Sequence, residues 1–291
     1  MTTVNANHAQ MLASGLSRLQ PLLDTATARI SSGERIDRPA RDVSGNGHAK
    51  KLDGEQARLQ GAEVNLQNGV SRLQVATDHL RVLNRVVTRI AELTTLSNNP
   101  TQDPASRALY TTEVKSLQDQ LRQTIGGSTA EIGGTVNIDR PLGVFNGGDL
   151  FGADGGGTLA VGVHTDEQVA LPVTNLRQGF LQEIIRQDGA GNYTFDFTAP
   201  GATATLNGAI DQLGGNLAQV GAVQSRLELA AEKVTVSRTN TEAALSGIRD
   251  LDIATETTTL ARLQILSEGY TAMLAQAKES NAKLLPLLAR R

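Results

Sequence analysis

Few side chains in this sequence are placed to do chemistry. The four histidines, His8, His48, His79 and His164, lie far apart, with no i, i+4 partner and no acidic cluster nearby. They read as surface residues rather than metal ligands. Asp250 and Asp252 are a close pair of carboxylates of the kind used in acid–base catalysis. On a helix, positions two apart do not share a face, which assigns both to structural polar contacts. The glycine clusters Gly133-Gly134, Gly147-Gly148 and Gly155-Gly156-Gly157 lack the G-x-x-x-x-G-K pattern and a strand-then-helix setting, so they read as turns and not as a phosphate cradle. Asn192-Tyr193-Thr194 matches a glycosylation sequon, a triplet short enough to arise by chance. There is no cysteine, which removes disulfides, thiolate metal sites and cysteine nucleophiles. The expectation is a protein that is not an enzyme and takes no cofactor and no metal.

Composition narrows the partners. The net charge is −3 with both signs well mixed, and no basic patch of the nucleic-acid-binding kind stands out. No apolar run reaches the length that spans a bilayer. The first ten residues are polar with no apolar h-region behind them, so no signal peptide is expected. Aromatics are scarce, with 5 Phe, 3 Tyr and no Trp, fewer than a compact enzyme core of this size uses.

Apolar periodicity organises the chain. Leu52, Leu59, Leu66, Leu73, Leu80 and Val87 recur every seventh residue, interleaved with Ala62, Gly69, Ala76, Leu83 and Ile90. An alternating 3, 4 spacing held for this long is the seam of a long helix laid against other helices. With no proline between Pro39 and Pro100, nothing breaks it. At 1.5 Å per residue it is roughly 60 Å long, so the sequence predicts an elongated rod. A second seam, Leu12, Leu16, Leu19, Leu23, Ala26 and Ile30, occupies the N-terminal stretch, with Pro21 off the seam at a cost of about 3 kcal/mol unless neighbours compensate. Gly33 ends it as a C′ residue, and Glu34 to Gly47 reads as an irregular linker. Asp103-Pro104 opens a third helix as N-cap and N1, and Gly126-Gly127 closes it.

From there to about Gly201 the pattern changes to glycine-rich turns and short alternating runs, Leu159–Val163, Val169–Val173 and Tyr193–Phe197, read as strands or hairpins with a tip at His164–Glu167. Most of the aromatics fall here. Helical spacing returns at Leu206, Ile210, Leu213, Leu217, Val220, Leu227 and Val234, fades through the Ser/Thr-rich stretch 235–241, and resumes at Leu245 and Ile248. A last seam runs Leu260, Leu263, Ser267, Tyr270, Leu274, Ala277, Asn281, Leu284, Leu288, with polar Ser267 and Asn281 placed to fix register. Each seam leucine is worth roughly 2 kcal/mol when it leaves water. An isolated helix of this length is marginal. Both ends are therefore expected to become ordered only against neighbouring copies, the behaviour of a self-assembling subunit.

The motifs met along the way resemble those of bacterial flagellin, in the same order. Ile30-Ser31-Ser32-Gly33-Glu34-Arg35-Ile36, Arg41-Asp42-Val43-Ser44-Gly45, Asn65-Leu66-Gln67-Asn68-Gly69 and Phe145-Asn146-Gly147 match stretches of the first half of that family. Gly221–Leu227, Ile248–Glu256, Gln264–Leu266 and Met273–Ala277 match the second. Arg41 departs from the family's acidic pair, and Lys278-Glu279-Ser280-Asn281 from its usual C-terminal run. The resemblance implies a mainly α fold: long coiled-coil-like helices, a small β-hairpin insert, and flagellin-like core domains without large outer domains. Residues 1–40 and 256–291 would form the inner terminal-helix domain. Residues 41–255 would form a rod domain with helices over 48–96, 103–125 and 204–250 and a β-rich insert over 126–203.

By the same resemblance the chain is a structural subunit that polymerises into the extracellular flagellar filament for motility, leaving the cell through the type III export apparatus. Its partners would be copies of itself, an export chaperone, and the cap and junction proteins. The assembly seams are Leu12, Leu16, Leu19, Leu23, Ile30, Leu260, Leu263, Tyr270, Leu274, Leu284 and Leu288. The rod core is Leu52, Leu59, Leu66, Leu73, Leu80, Val87, Leu217, Val220 and Leu227. Arg89, Glu92 and Leu93, in a stretch resembling the family's "RVREL", and Glu113 form a patch that serves protofilament packing or recognition by an animal Toll-like receptor; Ala91 in place of a basic residue favours packing. A hook–filament junction protein and a helical signalling or chaperone-type binding module are the alternative readings.

Overall fold

The computed structural model describes residues 2–152, 156–164 and 166–288, with side chains left out for 2–6, 8, 9 and 281–288. Gly155, Thr165 and the side chains of His8, Asn281, Leu284 and Leu288 therefore lie outside the described residues. The order of elements is α1 (Thr2–Ser32), α2 (Val43–Ser97), α3 (Pro104–Ile125), α4 (Thr129–Ile132), β1 (Val144–Phe145), β2 (Gly148–Asp149), β3 (Gly157–Ala160), β4 (Gln168–Leu171), α5 (Phe180–Ile185), α6 (Ala202–Arg249) and α7 (Ile253–Leu288). The chain forms two compact units, one of Met1–Ala57 with Thr239–Arg291, the other of Arg58–Arg238.

The 58–238 unit holds one contiguous apolar cluster. The α2 seam lies in it from Leu59 onward: Leu59, Ala62, Leu66, Leu73, Ala76, Leu80, Leu83, Val87 and Ile90 are all buried. Leu52, the first residue of that heptad series, is only half-buried and falls in the other unit. From α6, Leu206, Leu213, Val220, Leu227 and Val234 enter the same cluster every seventh residue, with Leu217 packed on its flank. The helix does not break where the apolar spacing fades. Thr241, seven residues beyond Val234, takes the next seam position and is buried, because a threonine is small enough to sit there without ending the helix.

Helix ends follow from local chemistry. Asp103 accepts from the Ser106 backbone N–H at 3.3 Å with Pro104 at N1, and α3 closes at Gly126, whose φ of 63° is costly for any residue with a Cβ. The linker after α1 is shorter than its Gly and Pro content suggested. Asp42 accepts from the Gly45 N–H at 2.7 Å and caps α2, so the helix takes in Gly45 and Gly47.

The insert departs further from the expectation. Val144–Phe145 and Gly148–Asp149 pair through a tight turn with Asn146 at φ 49° and Gly147 at φ 79°, the signs a type I′ hairpin needs. β3 and β4 pair antiparallel as Gly157↔Leu171 to Ala160↔Gln168, each beginning and ending one to three residues before the alternating runs. Tyr193–Phe197 is not a strand. Tyr193 makes one isolated bridge to Gln187 and donates its hydroxyl to Asp119, and Asp196 turns the chain by accepting from the Thr198 N–H and hydroxyl. A side-chain bond to distant Asp119 and a local turn at Asp196 thus replace the ladder.

Two close approaches fix the insert to the helices. A Cβ on Gly69 would lie 2.6 Å from a Leu159 methyl, so glycine at this seam position lets β3 sit down on α2. Phe151, fully buried, meets the edge of the His79 ring at 6.1 Å between centroids, so His79 is half-buried in a ring contact instead of lying on the surface. His48 and His164 are exposed.

The polar centre of this unit is Arg122. Its guanidinium is buried and donates to the carbonyls of Ile132 at 2.6 Å, Gly133 at 2.7 Å and Ile185 at 3.1 Å. Burial lowers its pKa from the ordinary arginine value, yet three carbonyls hold the charge in place and tie α3, α4 and α5 together. Arg177 repeats the device nearby, paired with Asp149 at 2.9 Å and Glu131 at 3.6 Å. The Ser128 N–H, the Ser128 hydroxyl and the Arg177 charge together hold the Glu131 carboxyl below the usual range.

Candidate assembly surfaces

In the unit built from the chain termini, α1 packs along α7. The two seams face each other within a single chain. Leu19 and Ala26 are buried, and Leu12, Leu16, Leu23 and Ile30 are half-buried against half-buried Leu260, Leu263, Tyr270 and Leu274. This corrects the expectation that neither end finds cover in one copy: a narrow a/d stripe needs only one partner helix, and each terminal helix supplies it to the other. The two helices approach closely at Gly15, where a Cβ would lie 2.8 Å from the Tyr270 ring.

Gly15→Leu is therefore expected to part the two helices. The substitution gains about 1 kcal/mol of helix propensity but overpacks by roughly 1–3 kcal/mol, and the overpacking wins because the opposing group is a half-buried ring on a paired helix. Thermal unfolding of the full chain, followed by circular dichroism, checks it. An unchanged melting profile would remove Gly15 from the packing account.

A polar clasp closes this helix pair at the α1 and α6 ends. Gly33, at φ 72°, stops α1, and the next residues meet the break between α6 and α7. The Arg35 N–H donates to the Arg249 carbonyl at 2.7 Å, the Leu251 N–H donates to the Gly33 carbonyl at 3.1 Å, and Glu34 pairs antiparallel with Asp250. The Arg35 side chain donates to the Ile248 carbonyl at 3.0 and 3.1 Å and meets Asp42 at 3.3 Å. Arg249 reaches Asp53 at 3.4 Å and Glu34 at 3.5 Å, and Arg29 reaches Glu256 at 3.6 Å. Single exposed pairs contribute about 0–1 kcal/mol each, so the clasp acts mainly by fixing geometry.

Asp252 caps α7, accepting from the Ala254 and Thr255 N–H groups at 3.0 and 3.1 Å and from the Thr255 hydroxyl at 2.7 Å. The Thr255 hydroxyl and N–H hold its carboxyl below the usual range. Asp250 accepts from the Ser246 hydroxyl. Both carboxylates thus do structural work, and among the described residues no group of three or more His, Cys, Asp or Glu is placed to hold a metal ion.

Away from the seam, this helix pair keeps large apolar side chains in water: Met11 and Leu22 on α1, Ile265, Leu266 and Met273 on α7. Sequence reading concentrated on the narrow stripe and missed these, although a hydrophobic residue beside a seam residue, as in Met11-Leu12 and Met273-Leu274, marks a second apolar face. The clasp arginines were visible only as motif letters.

In the other unit, Arg89 donates to Glu113 at 2.8 Å and to Glu92 at 3.0 Å; Arg89 and Glu92 are exposed and Glu113 is half-buried. The Glu113 hydrogen bond leads the causes that raise the Arg89 pKa. Leu93 does not belong to this patch. It is fully buried in the core, because it continues the buried face of α2 three residues beyond Ile90.

The chain matches two sequence families that together describe one protein. The bacterial flagellin N-terminal helical region matches residues 4–130 and the bacterial flagellin C-terminal helical region matches residues 203–288. It is 30% identical over 270 residues to the flagellar filament 30.7 kDa core protein of Treponema maltophilum, with 89% of this chain and 90% of that one covered. It is 30% identical over 292 residues to flagellin of Bacillus subtilis, with the same coverage of each. Among solved structures, a flagellar hook-associated protein of Vibrio parahaemolyticus aligns with a TM-score of 0.52 at 13% identity, covering 72% of this chain and 100% of that one, which is a likeness of fold.

Proposed function

Since the chain belongs to the bacterial flagellin family, we propose that it is a structural subunit of the extracellular flagellar filament whose paired terminal helices carry the contacts between copies. The observation that carries this reading is the α1–α7 pair. Its seam is used within the chain, yet exposed Met11, Leu22, Ile265, Leu266 and Met273 leave apolar surface on the outside of the same pair. Soluble monomers do not usually keep such surface in water without a use for it. A neighbouring helix pair presents the same chemistry, so copies cover one another. Residues 1–40 and 256–291 form the inner part of the polymer in this reading, and 41–255 the outer part.

The function is structural, and the family's role leaves no reaction to assign to the polar clusters. An export chaperone, a cap and junction proteins are the further partners the reading names. Among the described residues no helix is long and apolar enough to cross a membrane. The Arg89–Glu92–Glu113 triad is assigned to packing against a neighbouring copy in preference to recognition by an animal Toll-like receptor: Leu93 is unavailable, Ala91 carries no charge, and Arg89 already donates to two glutamates that offset its charge.

Polymerisation of the purified full-length chain, seeded by salt and viewed by electron microscopy, tests the proposal. Micrometre filaments are expected. Short assemblies that stop growing would point instead to a junction protein, and a small oligomer unchanged by concentration to a binding module.

A further inference from the structure

The chain has no cysteine and only three methionines. Two of them, Met11 and Met273, sit on the outer face of the terminal helix pair, 70% and 58% exposed. A thioether is usually kept in apolar surroundings, and one left in water is open to oxygen-atom donors. Their placement is not scattered. The antiparallel bridge Glu34↔Asp250 and the Gly15–Tyr270 contact set the register of α1 against α7. Counting four residues from Gly15 toward the start of α1, and three from Tyr270 toward the end of α7, brings Met11 level with Met273 to within about one residue's rise, ~1.5 Å. Two oxidisable sulfurs therefore lie at one height on the pair that carries contacts between copies.

We propose that Met11 and Met273 are modification sites at which oxidation to the sulfoxide blocks addition of a free subunit, and that incorporation into the polymer shields both sulfurs. This rests on the assembly reading above. The oxidant is a peroxide. The thioether sulfur attacks one peroxide oxygen, the O–O bond breaks and an S–O bond forms. Sulfur loses two electrons, and the second oxygen leaves as water after proton transfer. The product is a polar, chiral side chain in place of a flexible apolar one. Within the single chain it costs little, because both side chains already face water. Between chains it places a strongly hydrated oxygen where an apolar contact forms.

The test uses the full-length chain and hydrogen peroxide. Peptide mass mapping is expected to find both methionines converted in the free chain, and conversion at least tenfold slower in preformed polymer. Oxidised chain is expected to extend seeds at least tenfold more slowly, with its helix content by circular dichroism unchanged. In a Met11→Leu, Met273→Leu double variant, peroxide is expected to leave the rate of seed extension at that variant's own untreated value.

Oxidised wild-type chain that extends seeds at the untreated rate overturns the proposal. So does a double variant that loses as much as wild type, or a loss of extension that comes with loss of helix, since the sulfurs would then act on the fold of one chain. Untreated chain that forms no polymer at all overturns the assembly reading itself, and this proposal with it.

Discussion

A chain lacking residues 1–30 is expected to fold through residues 58–238 and to form no polymer. Among the described residues the apolar cluster of that unit draws nothing from α1, so its stability is expected to survive the deletion. What is lost is the cover of α7. Leu260, Leu263, Tyr270 and Leu274 are half-buried on a helix whose packing partner is α1, with its seam Leu12, Leu16, Leu19 and Leu23. A lone α7 helix is marginal in water, and its outer face loses the partner that sets its register. Cooperative thermal unfolding of the truncated chain, together with its sedimentation as a small species under seeding salt, checks both halves. Filaments of normal length from the truncated chain would show that contacts between copies do not depend on the helix pair.

Replacing Arg122 by methionine is expected to destabilise the 58–238 unit by roughly 3 kcal/mol, the largest single effect among its polar residues. Hydrogen bonds from a charged group contribute about 1.5–3 kcal/mol each in favourable cases, and a buried carbonyl left without a donor costs about 1–3 kcal/mol. Arg122 serves three carbonyls on two segments beyond α3, which is why methionine, close in volume, does not compensate. Lysine keeps a charge but has one donor nitrogen where arginine reaches in two directions, so Arg122→Lys recovers only part of the loss. Denaturant unfolding gives the number. A change under 1 kcal/mol for the methionine variant would mean that the three carbonyls find other donors.

The helices were legible because their signals are periodic and long. A leucine every seventh residue from Leu59 fixed the buried face of α2, and Asp103-Pro104 and Gly126 marked the ends of α3 through capping chemistry that acts locally. What failed in the helices failed for local reasons. Gly45 and Gly47 looked like linker residues, but the Asp42 cap carries α2 through them, and Thr241 looked like a fading seam, though its size suits a seam position.

The insert was less readable. The alternation at Tyr193–Phe197 is cancelled by hydrogen bonds accepted by the Asp119 and Asp196 carboxylates, which no period reveals, and α4 and α5 are too short to carry one. Arg122 gave no sequence signal at all, since a buried arginine is defined by carbonyls that come from residues 132, 133 and 185. In the assembly surfaces, the seam residues were readable and their mutual cover was not. Periodicity says that a stripe will be covered, while the partner's identity depends on the long-range register at Gly15 and Tyr270.

That register has a consequence for the order of events during synthesis. Gly15 leaves the ribosome 255 residues (270 − 15) ahead of Tyr270, so α1 waits through that whole stretch for the helix that covers it. Contacts between residues so distant along the chain are slow to close, whereas the heptads of α2 meet nearer partners earlier. A nascent chain therefore carries a sticky α1 unmatched while those residues are made, and the cell that makes it must keep that helix from finding the wrong company.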